Sequence, residues 1–151
     1  MNNLDVSKRP HHEVVIVGLG PTGATLANIL AGYGLDVLVL EREESVYPLP
    51  RAVHFDDEAM RGFQSIGLAE GIGRDARVNV GTKFVDRDQK LLLDWPRPQE
   101  IGPLGWYPSY RFHQPDLEAE LNCGIAACKT VTLHRGASVT AVADLGDVVE
   151  V

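Results

Sequence analysis

Long apolar runs are missing from this chain. Its most apolar stretches, such as VVIV at 14–17 and VLVL at 37–40, fall far short of the ~18 residues that a membrane span requires. The N-terminal MNNLDVSKRPHHE has no apolar core and no small-residue cleavage site, so it does not read as a signal peptide. A cytoplasmic location is the expectation. Cysteine is scarce too: Cys123 and Cys128 are spaced neither as C-x-x-C nor as a disulfide framework, and two small buried thiols are expected. The five histidines (His11, His12, His54, His113, His134) include no H-x-x-x-H or H-E-x-x-H pair, so no metal site is expected. Positive charge is the minority sign, with 14 Lys and Arg against 21 Asp and Glu, net −7. No basic run is longer than Lys8-Arg9, which argues against nucleic acid and against an anionic membrane surface as partners.

What is present is ordinary globular material: 151 residues, 44% hydrophobic and 23% charged, with 15 glycines and 9 prolines that make the chain rich in turns. That length suits one core, or part of a larger one. Residues 1–12 read as a solvated tail. EVVIVG is a short β-branched run ending in glycine, a buried strand by pattern. From Pro21 to Tyr33 the positions Leu26, Ala27, Ile29, Leu30 and Tyr33 recur at helical spacing, and Gly34 supplies the stop. LDVLVLE is a second buried strand. Strand, helix and strand in this order form a βαβ unit and imply a parallel sheet.

Residues 42–55 read as a loop with Pro48 and Pro50. Asp56, Asp57 and Glu58 then suit the start of a helix that runs to about Ile66 and closes at Gly67. The stretch 79–113 changes character. TKFVDRDQKLLLDW reads as two strands around a polar turn, followed by Pro96, Pro98, Pro103 and Pro108, so an antiparallel, proline-rich excursion is expected there, with Arg111 and His113 on one of its strands. Trp95, Trp106, Tyr107 and Tyr110 are expected mainly as core, less as a substrate wall. Gln114-Pro115 opens a helix through about Cys128. The remainder reads as short strands, with turns at Arg135-Gly136 and Gly146-Asp147.

The chemistry is concentrated at GLGPTG, residues 18–23. This is G-x-G-x-x-G in the context that gives it meaning: a strand before, a helix after, and an acid at the end of the next strand. Gly18 permits the turn out of the strand, Gly20 lets backbone approach a pyrophosphate, and Gly23 lets helix pack on strand. Pro21 and Thr22 complete the loop. It contains no lysine, so an anion must be met by amide N–H groups and the helix N-terminus. The missing G-K-[ST] excludes a nucleoside-triphosphate P-loop. Glu41, 18 residues after Gly23, is placed to accept ribose hydroxyls and would repel a 2′-phosphate. The βαβ unit alone leaves FAD and NAD open.

Three segments taken together, GLGPTGATLANILAGYGLDVLVLE, PRAVHFDDEAMRGFQSIGL and GWYPSYRFHQPDLEAEL, resemble the flavoprotein aromatic hydroxylases of the para-hydroxybenzoate hydroxylase type, and within them the 3-(3-hydroxyphenyl)propionate hydroxylase branch. The resemblance runs from about Glu13 to the last residue. It implies an α/β fold: a Rossmann-type FAD-binding domain over 13–151 with a parallel sheet, with 79–113 as the antiparallel excursion toward the substrate side, incomplete at its C-terminus. Carried over by position, it implies that Gly18, Gly20 and Gly23 cradle the FAD pyrophosphate and that Glu41 takes the ribose. Arg42 would lie by the adenosine, Arg51 by the phosphates, and Gln114 by the ribityl and phosphate region. Gln114 also reads as a helix cap. His54 is a weaker candidate for the flavin ring.

The resemblance further implies NADH or NADPH as electron donor, a phenolic substrate and dioxygen as partners, and a possible homo-oligomer in the full-length enzyme. The family's later Asp-Gly motif has no counterpart, since no Asp-Gly pair occurs in the chain, and Gly146-Asp147 lacks the continuation of the family's Gly-Asp motif. The expectation is the N-terminal part of a longer enzyme, within which no catalytic acid or base for phenol activation is assigned. Two rivals stand beside it: another FAD- or NAD-dependent oxidoreductase built on the same unit, and an inactive dinucleotide-binding fragment.

Overall fold

The computed structural model describes residues 10–151. In chain order its elements are β1 (Val14–Val17), α1 (Pro21–Gly32), β2 (Val37–Glu41), β3 (His54–Asp56), α2 (Asp57–Ser65), α3 (Ala69–Asp75), β4 (Arg77–Val78), β5 (Gly81–Val85), β6 (Leu91–Pro96), β7 (Ser109–Arg111), α4 (Gln114–Ala127), β8 (Val131–Arg135), β9 (Ala143–Asp144) and β10 (Val149–Glu150). They divide into two compact units. One comprises the described residues up to Ser45 together with Ile125–Val151, the other Val46–Gly124.

In the first unit, β1, β2 and β8 form a parallel sheet in the order β1-β2-β8, with Val14 opposite Val37 and Val37 opposite Val131. Parallel neighbours need a crossover, and α1 supplies the one between β1 and β2. Ile16, Val37 and Val39 are buried, as β-branched residues of a covered parallel sheet should be. The buried stripe of α1 is Ala24, Ala27 and Asn28, whereas Leu26 and Tyr33, expected on that face, are exposed. Alanines leave little between helix and sheet, so the face that packs closest is the small one. The helix ends as the sequence predicts. Gly34 takes φ +78°, and the amides of Gly34 and Leu35 reach back to the carbonyls of Ala31 and Leu30, at 2.9 and 3.2 Å.

Most of the expected tail falls outside the described residues. His12 is half-buried and its Nδ1 lies 3.1 Å from the Asp36 carboxylate; residues 1–9 lie outside the described residues. At the other end, β9 and β10 pair antiparallel across a turn at Gly146 (φ +92°).

The second unit is built on an antiparallel sheet in the order β3-β7-β4. Strand β3 replaces the end of the expected loop; three residues directly before the helix-starting aspartates carry too little alternation to be read as a strand. Asp56 caps α2, its Oδ1 accepting from the Ala59 amide at 3.0 Å. Helix α3 was also not expected, because AEGIGRD contains two glycines, each costing about 1 kcal/mol relative to alanine in a helix interior. Met60, Phe63, Ile72, Tyr110, Leu117 and Leu121 are buried, and the Phe55 ring lies 5.5 Å from Phe63, 5.2 Å from Tyr110 and 5.1 Å from Phe112.

Strands β5 and β6 form a separate antiparallel hairpin within the stretch 79–113. Both its faces are open: Leu92 is 66% exposed and Trp95 47%. Trp95 is thus not a core residue; Arg97 lies over its ring at 3.9 Å. Arg111 lies on β7 as expected, but His113 falls between β7 and α4. The thiols differ from expectation as well, Cys123 being exposed on α4 and Cys128 half-buried beyond it.

The tightest constraint in the first unit is at Gly23. A Cβ there would meet the Gly18 carbonyl well inside contact distance, with the Ile16 side chain 3.4 Å away. Gly23→Ala is therefore expected to lower unfolding stability by about 1–3 kcal/mol, seen as a lower denaturant midpoint with an unchanged slope.

Candidate functional site

In the first unit the loop between β1 and α1 is shaped first by its backbone. Gly18 has φ +99°, a conformation that side chains rarely adopt, and its amide donates to the Leu40 carbonyl at 2.8 Å, tying the end of β1 to β2. Gly20 is the N-cap of α1 and provides no side-chain cap, and the first turn contains no acidic residue. The first-turn amides of a helix have no partner within it, so they are available to an anion, with the helix dipole behind them. Pro21 occupies the first helical position, where its missing N–H removes nothing, and Thr22 is exposed.

Gly20 itself has φ −72°, which any residue adopts, and a Cβ built on it would meet no protein atom within 4 Å. Neither backbone conformation nor packing requires glycine there. What the position has is free space at a helix N-terminus.

Glu41, at the end of β2, closes on this loop. Its Oε2 accepts from the Leu19 amide at 2.6 Å and its Oε1 from the Glu43 amide at 2.8 Å. Burial acts to raise its pKa, but the Glu43 and Leu19 amides, with Arg135 and Arg42 nearby, outweigh it and hold the carboxyl below its ordinary value. Arg42 is exposed and pairs with Glu43 at 3.1 Å. Sequence reasoning missed Leu19, whose side chain is buried while its amide ties the glycine loop to the acid.

In the second unit, Arg51 lies in the loop ahead of β3, its guanidinium 5.2 Å from the centre of the Tyr47 ring. Gln114, the first residue of α4, is buried, and its Oε1 accepts from the backbone amides of both Arg51 and Ala52 at 2.8 Å. The structure thus brings Arg51 and Gln114 together. It also engages the weaker candidates with protein. His54 Nε2 and Ser109 Oγ are 2.7 Å apart, Asn79 Nδ2 donates to the same Oγ at 2.8 Å, and Arg111 donates to Asn79 Oδ1 at 3.1 Å and to the Gly81 carbonyl at 3.0 Å. That network ties β3, β7 and β4 to one another and to the start of β5.

Comparison with known proteins decides what the loop belongs to. A family model described as FAD binding domain matches residues 11–151. The chain belongs to the FAD-binding-domain family. It is 43% identical over 132 residues to a probable NADH-specific resorcinol 4-hydroxylase of Rhodococcus jostii (strain RHA1), covering 86% of this chain and 24% of that protein. It is 39% identical over 139 residues to a 3-(3-hydroxy-phenyl)propionate/3-hydroxycinnamic acid hydroxylase of Mycolicibacterium smegmatis, covering 92% of this chain and 24% of that protein. The FAD-binding-domain chain thus spans about a quarter of the length of these curated relatives.

Among solved structures, p-nitrophenol 4-monooxygenase from Pseudomonas putida DLL-E4 shares the fold with a TM-score of 0.79 at 23% identity, over 90% of this chain and 34% of that one. The OxyS anhydrotetracycline hydroxylase of Streptomyces rimosus gives a TM-score of 0.73 at 27% identity, over 91% and 27%. Among the described residues no helix is long and apolar enough to cross a membrane.

The residues present fit an FAD diphosphate, since the space over Gly20 and the unpaired first turn of α1 form a cradle that a side chain would fill. The depressed pKa of Glu41 also has a consequence for stability. Its contribution is fully present above the unfolded value near 4.5 and is lost as pH falls through the lower folded value. Glu41→Gln keeps one acceptor of two and is expected to cost about 1 kcal/mol at pH 7. The gap between wild type and variant should close on acidification below pH 4.5, as measured by denaturation at a series of pH values.

Proposed function

We propose that this chain is the FAD-binding portion of an NAD(P)H-dependent flavoprotein monooxygenase that hydroxylates a phenolic aromatic compound, of the kind named in its resorcinol and hydroxyphenylpropionate hydroxylase relatives. The observation that carries the reading is the lysine-free helix N-terminus over which Gly20 leaves free space, with Glu41 bonded to the same loop. When bound, FAD supplies hydride acceptance from the nicotinamide and reaction with dioxygen.

The chain's own residues bind and orient. Gly20, Thr22 and Gly23 offer backbone amides to the diphosphate, while Gly18 turns the chain out of β1, Pro21 starts the helix without an N–H, and Gly23 keeps helix close to strand. Glu41 keeps its two amide partners and accepts ribose hydroxyls on its remaining lone pairs, and its charge selects against a 2′-phosphate on this dinucleotide. Arg42 neighbours the adenosine. Arg51 brings a guanidinium to the phosphates, and Gln114 serves the ribityl and phosphate region through the loop it holds. A cytoplasmic enzyme using a phenol and dioxygen follows from the same reading, supported by the scarcity of cysteine and of long apolar runs.

Titration with FAD, read by quenching of flavin fluorescence, tests the reading. Thr can cap a helix as Gly20 does but projects a Cβ and more into the ligand space. Gly20→Thr is therefore expected to weaken FAD binding by about tenfold or more, roughly 1.4 kcal/mol, with an unchanged melting temperature. Binding of NAD in place of FAD by the wild-type chain would overturn the assignment.

A further inference from the structure

The Arg51 loop has few ways to hold itself in place. Residues 46–53 include Pro48 and Pro50, which have no amide hydrogen, and none of them lies in a helix or strand. Two of the amides the loop does have, those of Arg51 and Ala52, converge on a single atom, Gln114 Oε1. That geometry needs the Gln114 side-chain amide in one orientation. Turned over, it would aim an N–H₂ group at two N–H donors, with no acceptor between them.

The orientation is set from the far side. One helical turn along α4, Glu118 is 4% exposed, as is Gln114, and Glu118 Oε1 accepts from Gln114 Nε2 at 2.6 Å. A carboxylate only accepts, so it selects the rotamer that sends Nε2 toward Glu118 and Oε1 toward the loop. A buried acid opposite a glutamine is costly unless paired, and here the pairing has this directional result.

We propose that Glu118 is a positioning residue: by fixing the Gln114 amide it anchors the Arg51–Ala52 backbone and so presents the Arg51 guanidinium to the anionic phosphates of FAD. The inference rests on the FAD-binding reading for its consequence, and on the clasp itself for its geometry. In this proposal Glu118 acts through Gln114 and not on the cofactor.

The test pairs a ligand-free readout with a ligand-dependent one. Glu118→Met keeps the length and removes the acceptor; Glu118→Gln keeps an acceptor oxygen. In Glu118→Met, hydrogen exchange of the Arg51 and Ala52 amides is expected to rise about tenfold, the scale of one lost hydrogen bond, and FAD affinity to fall by a similar factor. Glu118→Gln should restore both. Combined with Arg51→Ala, Glu118→Met should add little to the loss that Arg51→Ala causes alone. Should Glu118→Met fail to fold, Gln114→Met opens the same clasp from the other side and must raise exchange at the same two amides.

Unchanged exchange in Glu118→Met, or Glu118→Gln behaving like Glu118→Met, would overturn the proposal. So would a fall in FAD affinity that adds fully to that of Arg51→Ala. A wild-type chain that takes up no FAD overturns the cofactor reading and the presentation of Arg51 with it. The exchange measurement still decides the clasp.

Discussion

The first turn of α1 rests on the carbonyl of Gly18, with no room for even one methyl group at Gly23. That contact fixes where the helix starts relative to the end of β1, and therefore where its unpaired amides point. A helix displaced outward by the volume of a methyl would keep its dipole but lose its registration with the strand end. The binding capacity of the loop is thus a packing property before it is an electrostatic one. Gly20 is the complement of Gly23: at one glycine a side chain would strike Gly18, at the other it would enter open space.

The glycine loop of the first unit and the Arg51 loop of the second use the same device. In the first unit a carboxylate, Glu41, accepts from the amide of Leu19 inside the glycine loop. In the second, a side-chain amide, Gln114, accepts from two successive amides of the Arg51 loop, itself oriented by Glu118. Each loop is too rich in glycine or proline to be held by regular secondary structure, and each takes a side-chain acceptor from a neighbouring strand or helix. The rigid element supplies position, and the loop presents the group that meets the ligand.

The βαβ start was legible in the sequence because three independent signals agree there: β-branched runs, a glycine-punctuated loop, and an acid at the expected separation. The caps were legible as well, since Asp56 and Gly34 act through local chemistry that composition reveals. Strand β3 and helix α3 were not, the first because three residues show no alternation, the second because tertiary packing overrides two glycines in AEGIGRD. The role of Gln114 was only half visible. Its place at the start of a helix could be read, and the acid four residues on at Glu118 was a signal in plain view. That its oxygen reaches back 62 and 63 residues to Ala52 and Arg51 depends on a tertiary contact that no local pattern encodes. Trp95 failed for a related reason: aromatics among prolines suggest a core, but both faces of the β5–β6 hairpin are exposed.

Net charge and site chemistry point in opposite directions, and the structure shows why they need not agree. A chain of net −7 repels a diphosphate at long range. Charges separated by more than about 8–10 Å are screened at physiological salt, so what decides binding is the set of donors within a few ångströms. Around the glycine loop that set is backbone amides aimed by α1. In the second unit the cation proposed for the phosphates is Arg51, whose guanidinium lies over Tyr47 with the loop anchored behind it. Lysine would add charge at this range but no direction, whereas amides at a packed helix start and a guanidinium on a pinned loop add both. Glu41 fits the same logic. In the proposed role its charge opposes an extra phosphate on the ribose, while its oxygens, already held by the Leu19 and Glu43 amides, are pre-placed to accept hydroxyls. On the proposed reading, selectivity for the dinucleotide rests on where a few donors and acceptors are held, and the excess of acids elsewhere on the chain contributes little to it.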